Sequence, residues 1–537
     1  MEETDVLVLW GSNARDTHPI FFHHVLRALR RGAKLYVVDP RRTSTAEWAD
    51  GWLPLDVGTD IALANGVAHC ILEAGLEHRS FIHRATEGFE AYAEMVQRYD
   101  LARVSRETGV DAGLIDRLAH DYATADKAMI CWTLGITEHH NAVDNVLGLI
   151  NLALLTGQVG RWGSGLNPLR GQNNVQGGGD MGALPNKLPG FQDVGDAAAR
   201  ARFEAKWGRP IPSENGWNLT EMFDAMERRA LRALLVIGEN PAHSEADSQH
   251  TLKTLGRLEH LVVQDIVFTR TAELADVVLP ATASWCEAEG TVTSSERRVQ
   301  RCRPALVPPG QARDDIAILS ELSLRLGYDL GTPTPRAAWE ELRTLSPMHA
   351  GMSYQRLEEL HGIQWPCPDE NHPGSPFLHG RLWAEPMVGP RAPFIPTEQV
   401  APVDTLDASF PLRLTTGRRL ESFNTGVQSG GYAWPHRRGT TLDLNPEDAR
   451  VLAVTEGEQV RVVSRRGAVE APVRLDTGLR PGLAFMSFHF PDEVDTNVLT
   501  INATDPKSGT AEFKATAVRV EKLLPSSTID RPGASPR

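Results

Sequence analysis

Leu169 to Pro185 reads LRGQNNVQGGGDMGALP, with five glycines, the adjacent Asn173 and Asn174, two glutamines, one cation (Arg170) and one anion (Asp180). The stretch has neither a helical nor a strand period. A guanidinium stays ionised and offers parallel N–H donors that match the two oxygens of a small planar anion. Amides add donors and acceptors without adding charge, and glycines let backbone come close to a ligand. Arg170 is therefore a candidate grip for an anionic group, against the plainer alternative of a structural arginine in a loop.

A second set of residues lies where apolar runs stop. DVLVLW is followed by Gly11, Ser12, Asn13, Asp16, Thr17, His18 and Pro19; KLYVV is followed by Asp39, Pro40, Arg41 and Arg42; LDVGTD supplies Gly58, Thr59 and Asp60. Small polar residues before a helix suit a diphosphate, and an aspartate suits a ribose or a guanine edge. The first loop is not G-x-G-x-x-G, which disfavours a plain nicotinamide dinucleotide site. One such loop is as well explained by ordinary turn chemistry; three at successive strand ends favour a nucleotide.

The elements that must hold these residues read as an open α/β sheet. DVLVLW, KLYVVDP and AMICW are continuous apolar runs, the pattern of strands buried on both faces. PIFFHHVLRALRRG between the first two reads as a helix, with Pro19 near its start and Gly32 just past its end. That is a β-α-β unit with a right-handed crossover. AMICW ends at LGITEHHN, and a helix from about Asn141 to Thr156 is closed by Gly157. RALLVIGENP and HLVVQDIVFT repeat the logic, ending in Glu239, Asn240, Asp265 and Thr269, so the chain is built for two nucleotide-like groups. Pro333 to Pro396, rich in Pro, Gly and His, reads as irregular surface and linker. After it, LRLTTG, TTLDL, GEQVRVV, AVEAPVRL and GLAFMSFHF are short strands separated by turns, the pattern of a compact β-barrel. NPEDARVLAV fits one short helix with Asn445 as N-cap.

These segments divide the 537 residues into an α/β domain at 1–168, a second α/β domain at 169–396 that includes the linker, a barrel at 397–523, and a disordered tail at 524–537. Net charge is −14, which disfavours nonspecific nucleic-acid binding. No apolar run approaches a membrane span. MEETDVLVLW has no basic n-region and no twin arginine, so a cytoplasmic location is expected. The five cysteines are scattered, the nearest pair, Cys286 and Cys302, lying 16 residues apart. They read as free thiols in a reducing compartment, not as a local zinc or iron–sulfur site.

WGSNARDTHP, VVDPRRT, LGITEHHN, LTGQVGRWGSGLNPLRGQNNVQG, IGENP, VQDIVFTRTAELADVVLP, EGTVTSSERRVQR, IQWPC, LTTGR and ATDPKSGTAEFKATAVRVE follow one another along the chain. In their order and spacing, from about Asp5 to Leu523, the chain resembles the catalytic subunits of molybdenum- or tungsten-dependent formate dehydrogenases. Those are molybdopterin oxidoreductases that bind bis-molybdopterin guanine dinucleotide. The resemblance implies two Rossmann-like open-sheet domains followed by a double-psi-type β-barrel, and oxidation of formate to carbon dioxide.

Residue by residue, it implies that Gly11, Asn13, Asp16, Asp39, Arg41 and Asp60 hold one guanosine diphosphate arm. Gly135 and Thr137 would pack beside that arm's pterin, and Gln172 and Asn173 would lie near the metal-side pterin. Glu239, Asn240, Asp265 and Thr269 would hold the second arm. Thr416, Gly417, Arg418, Ser422 and Asn424, with Asn497, Phe513 and Lys514, would close over the pterins from the barrel. Arg170 matches the family's substrate arginine. No residue of this chain is implied as a metal ligand.

The sequence departs from the family's pattern in two respects. The clustered cysteines of an N-terminal iron–sulfur domain are not here, and no Cys-His pair stands where the family has a metal-ligating cysteine or selenocysteine beside a histidine. An iron–sulfur cluster is therefore expected only in an N-terminal part outside this chain. That part would be supplied by a longer reading frame or by a separate subunit, with iron–sulfur or flavin centres taking the electrons. The alternatives are a non-catalytic scaffold that binds the cofactor, and a sibling acting on nitrate or on an S- or N-oxide. The first β-α-β unit is expected to need the outside part to cover one sheet face, and the chain alone to be marginally stable.

Overall fold

The computed structural model describes residues 1–283, 286–331, 333–420, 422 and 439–523. The tail expected to be disordered, 524–537, and Asn424 lie outside the described residues. The first sheet has five parallel strands in the spatial order Gly51–Leu53, Lys34–Val38, Val6–Trp10, Ala128–Trp132 and Gly165–Pro168. Chain order reverses beside Val6–Trp10, and a crevice at the C-terminal end of such a strand is where doubly wound sheets take their ligands.

All five residues of Val6–Trp10 are buried. Leu7 and Leu9 share one core with Leu35, Val37, Met129 and Cys131, against Phe22, Val25 and Ala28 of helix Pro19–Arg30. Val6, Val8 and Trp10 face the other core, with helices Asp60–Glu73, Ala112–Thr124 and Ala142–Thr156. The bare sheet face expected from the sequence is thus not found. Both sides are covered from within the chain, and each buried Val or Leu contributes about 1.5–3 kcal/mol.

The second sheet sets Ala233–Ile237 and Val277–Pro280 on either side of His260–Asp265, all parallel. Its covered face buries Val236, Leu261 and Val263 together with Ala272. Helices Leu219–Glu227 and Ser248–Leu255 pack beside it through Phe223, Met226 and Leu255.

Pro333 to Pro396 corrects the expectation of a surface linker. Helix Pro335–Leu345, capped by Thr334, and helix Tyr354–Glu359 bring Trp339, Leu342, Tyr354 and Leu357 into one core with Val299, Ile363 and Cys367. The chain then returns to the first domain: Phe394 stacks on Tyr92 at 5.0 Å, and Asn151 Nδ2 donates to Ile395 O at 2.8 Å. Frequent Pro and Gly break the apolar period of this stretch, and Ile395 at its end meets a partner 244 residues away.

The C-terminal strands close into a six-stranded barrel in the order Leu412–Gly417, Leu483–Ser487, Leu442–Leu444, Ala468–Leu475, Gln459–Val463 and Thr516–Lys522. The last strand pairs back onto the first. Helix Pro446–Val451 is capped by Asn445, whose side chain accepts from Glu447 N. Arg42 N donates to Gly478 O at 2.8 Å, and Arg480 pairs with Asp56 and donates to Pro54 O. The barrel therefore sits over the C-terminal ends of the first sheet.

Candidate functional site

The strand ends and the barrel line a cleft of about 100 Å3, with a second of about 250 Å3 sharing Asn13, Arg41 and Arg418 with it. Its floor is made by two glycines. Gly11 has φ +57°, and a Cβ on Gly135 would stand 2.5 Å from the Gly11 Cα. Gly135 N donates to Gly11 O at 3.2 Å, so the two loops touch through bare backbone.

Around that floor, Asn13 Nδ2 donates to Asp16 Oδ2 at 2.8 Å, and Asn13 Oδ1 accepts from Thr45 Oγ1 at 2.7 Å. Asp39 Oδ1 accepts from Arg41 N at 2.9 Å, and Asp60 Oδ1 from Trp10 Nε1 at 2.8 Å. Burial pushes both carboxyls up from their ordinary values, more than Arg41 beside the first and His139 beside the second pull them down. Such carboxyls suit a polar ligand edge that donates to them, as a guanine does.

Cations come from both the first α/β unit and the barrel. The Arg41 guanidinium lies 3.7 Å over the Phe485 ring, which also packs against Gly417. Thr416 Oγ1 donates to Phe513 O at 2.9 Å, and Lys514 Nζ donates to Thr416 O at 3.2 Å and pairs with Glu138 at 2.7 Å. Arg418 lines both cavities, and its buried Nε has no hydrogen-bond partner among the described residues. A buried guanidinium N–H left without an acceptor is costly, and an anion in the cleft would satisfy it. Arg419 and Arg474 are already paired with the buried Asp443. Ser422 lines the second cavity.

The second loop set is held as tightly. Asn240 Oδ1 accepts from Thr271 Oγ1 at 2.7 Å, Asp265 Oδ1 from Ile266 N at 2.6 Å, and Thr269 Oγ1 from Ala272 N at 3.2 Å. Ser244 Oγ stands 2.9 Å from Glu239 and 3.2 Å from Glu245. Burial, with Glu239 next to it, pushes the Glu245 carboxyl up to about 7. Asn497 of the barrel region donates to His243 O at 3.0 Å and ties this loop set to the same assembly.

Arg170 follows edge strand Gly165–Pro168, with its side chain exposed. His18 Nε2 donates to Arg170 O at 2.8 Å, and its Nδ1 stands 2.7 Å from Thr17 Oγ1, a hydroxyl that itself donates to Asn13 O at 3.1 Å. Burial holds the His18 pKa below its ordinary value, against the bond to Arg170 O that raises it. The neighbouring Gly171 faces Arg418 Nη1, which would stand 3.3 Å from a Cβ there. The aperiodic stretch contains a short helix, Val175–Asp180, that its three glycines do not announce. Asn174, at φ 63°, opens the helix, and its Oδ1 accepts from Thr293 N at 2.9 Å.

Gly11, Asn13, Asp39, Arg41, Asp60, Gly135, Thr416, Gly417, Arg418 and Lys514 thus converge on the first cavity, and Asp16 and Ser422 on the second. Phe513 joins them through its carbonyl. Thr137 is half-buried at the end of helix Leu134–Thr137 and does not line the cleft; Gln172 and Asn173 are exposed. Three residues not singled out in the sequence stand in the site: His139, in the cleft wall, Glu512 behind it, and Gln176 against Arg170. Each lies inside a motif quoted above, and only the partners it meets in the folded chain mark it. Among the described residues no group of three or more His, Cys, Asp or Glu side chains could hold a metal ion, and no helix is long and apolar enough to cross a membrane.

The family described as molybdopterin oxidoreductase matches residues 1–325, and the molydopterin dinucleotide binding domain matches residues 412–517. A formate dehydrogenase alpha subunit of Methanocaldococcus jannaschii is 39% identical over 97% of this chain and 77% of its own length. Formate dehydrogenase H of Escherichia coli is 36% identical over 97% of this chain and 73% of its own. Acetylene hydratase from Pelobacter acetylenicus shares the fold, with a TM-score of 0.72 at 21% identity over 97% of this chain and 78% of that one.

Proposed function

The chain belongs to the molybdopterin oxidoreductase family, and on that premise we propose that it is the formate-oxidising part of a catalytic subunit, with Arg170 as the substrate clamp. The observation that carries the proposal is the exposed Arg170 guanidinium beside a cleft whose wall holds the buried, unpartnered Arg418 Nε.

The cofactor we propose is bis-molybdopterin guanine dinucleotide with molybdenum or tungsten. The donor set suits it. Gly11 and Gly135 would present bare backbone to it, Arg41, Arg418 and Lys514 would face its phosphates and pterins, and Asp39 and Asp60 would accept from a guanine. Glu239, Asn240, Asp265 and Thr269 would hold the second guanosine arm, tied to the barrel by Asn497. When bound, the group supplies a metal centre that takes up two electrons.

Arg170 binds the formate carboxylate through two parallel N–H donors and so fixes where its C–H bond points. His18 holds the Arg170 backbone, and Gln176 holds its side chain at 3.3 Å from Nε. Arg418 adds a second positive charge on the same side, which favours an anion over a neutral substrate. The electrons released with carbon dioxide leave through iron–sulfur or flavin centres on polypeptide other than these residues, in a cytoplasmic assembly. We place the domain boundaries at 168 and 396, the segment before the second returning to the first domain through Phe394 and Ile395.

The test is formate-dependent reduction of an artificial one-electron acceptor by the chain isolated with its neighbouring subunits. Wild type is expected to reduce the acceptor with formate and not to oxidise it with nitrate, and Arg170→Ala to lose the formate activity with its pterin and metal content intact. Pterin content without formate activity in wild type would favour the scaffold alternative; nitrate-dependent activity would favour the sibling reductase.

A further inference from the structure

Glu512 is fully buried, yet its carboxylate collects donors from both sides of a domain boundary. His140 N donates to Oε2 at 3.0 Å, and His140 Nδ1 lies 3.2 Å from the same oxygen. Lys514 N and Ala515 N donate to Oε1 at 2.9 and 3.0 Å. His139 Nδ1 stands 3.3 Å from the carboxylate, and its Nε2 stands 3.1 Å from Gly135 O. A neutral imidazole has one N–H and could serve only one of those two acceptors. The protonated ring serves both, and it stands next to a buried anion that has no solvent to stabilise it.

We propose that His139 and Glu512 are positioning residues, an ion-pair latch that locks the barrel to the first α/β unit and sets the geometry of the cleft. Each end of the latch is bonded to a residue of the cleft itself: Gly135 through its carbonyl, Lys514 through its amide. Phe513 N donates to Glu138 O at 3.2 Å on the same seam. The other charges facing the pair are Asp60, Glu138, His140, Lys514 and Arg413. That the latch governs cofactor retention rests on the proposal that the cleft holds a pterin dinucleotide.

The test compares wild type with His139→Gln, the conservative Glu512→Gln, and Val462→Ala, a buried barrel-core change whose strand pairs beyond the seam, at Arg519–Lys522. The first readout is amide hydrogen exchange on protein stripped of pterin. Both latch variants are expected to lose at least tenfold protection at 134–142 and at 510–517 together, while Val462→Ala leaves both segments as in wild type. The second readout is pterin per purified chain, expected to fall at least fivefold in the latch variants and less than twofold in Val462→Ala. Loss of protection in one segment with the other unchanged would overturn the latch, as would pterin loss that follows melting temperature alike in all three variants. A wild type that holds no pterin would refute the cofactor assignment, and the exchange readout would still decide the latch.

Discussion

Gly11 and Gly135 meet backbone to backbone, with Gly135 N donating to Gly11 O at 3.2 Å and no room for a side chain on either. Both follow strands of the first sheet, so neither loop can retreat without shifting a strand end.

Gly135→Ala is therefore expected to destabilise the chain by about 1–3 kcal/mol, the usual cost of overpacking, and to lower pterin content. Calorimetric melting and pterin analysis on one preparation check both; an unchanged melting temperature with full pterin content would show that the loop yields.

Arg170 is exposed and bonds little besides Gln176, so its replacement should leave stability nearly unchanged. Arg170→Lys keeps the charge and loses the paired donors. A charged hydrogen bond contributes about 1.5–3 kcal/mol, so kcat/KM for formate should fall about 10- to 150-fold. Steady-state kinetics with formate measures it.

A relay aims the guanidinium. Trp365 Nε1 donates to Asp180 Oδ2 at 2.8 Å, Gln176 Nε2 donates to Asp180 Oδ1 at 2.9 Å, and Arg170 Nε donates to Gln176 Oε1 at 3.3 Å. Gln176→Leu should raise KM for formate about 2- to 10-fold, the weight of one net hydrogen bond, with little change in pterin content. Trp365→Phe leaves a buried carboxylate oxygen short of a donor and should cost about 1–3 kcal/mol of stability.

The His139–Glu512 pair makes stability depend on pH in a definite direction. Burial alone would lower the His139 pKa, but the charge and hydrogen bond of Glu512, with Asp60 nearby, raise it above its ordinary 6.5. Burial would raise the Glu512 pKa, but His139 and His140 hold it well below its ordinary 4.5. The histidine's contribution is full below pH 6.5 and is lost as pH climbs through the raised value; the glutamate's is full above 4.5 and is lost as pH falls through the depressed one. The melting-temperature gap between wild type and His139→Gln should be widest between those two values and narrow on the alkaline side. Melting curves from pH 4 to 9 test the sign.

The sequence by itself determined the parts whose physics is local or periodic. Continuous apolar runs marked strands, and Val6–Trp10 is covered on both faces. Pro19, Gly32 and Asn445 marked helix ends through backbone geometry and capping. The strand-end loops were legible because residue type at a strand end already limits the chemistry. Only the tertiary structure decided the rest. Trp339, Leu357 and Phe394 are core residues through contacts that no period announces, in a segment whose prolines hide it. Val175–Asp180 is helical although three glycines oppose it, its start pinned by Asn174 and its end by Asp180. The weight of His139 and Glu512 comes from a carboxylate and an imidazole brought together across 373 residues. Burial sets what such a pair is worth, and burial belongs to the folded chain, not to the spacing of its residues.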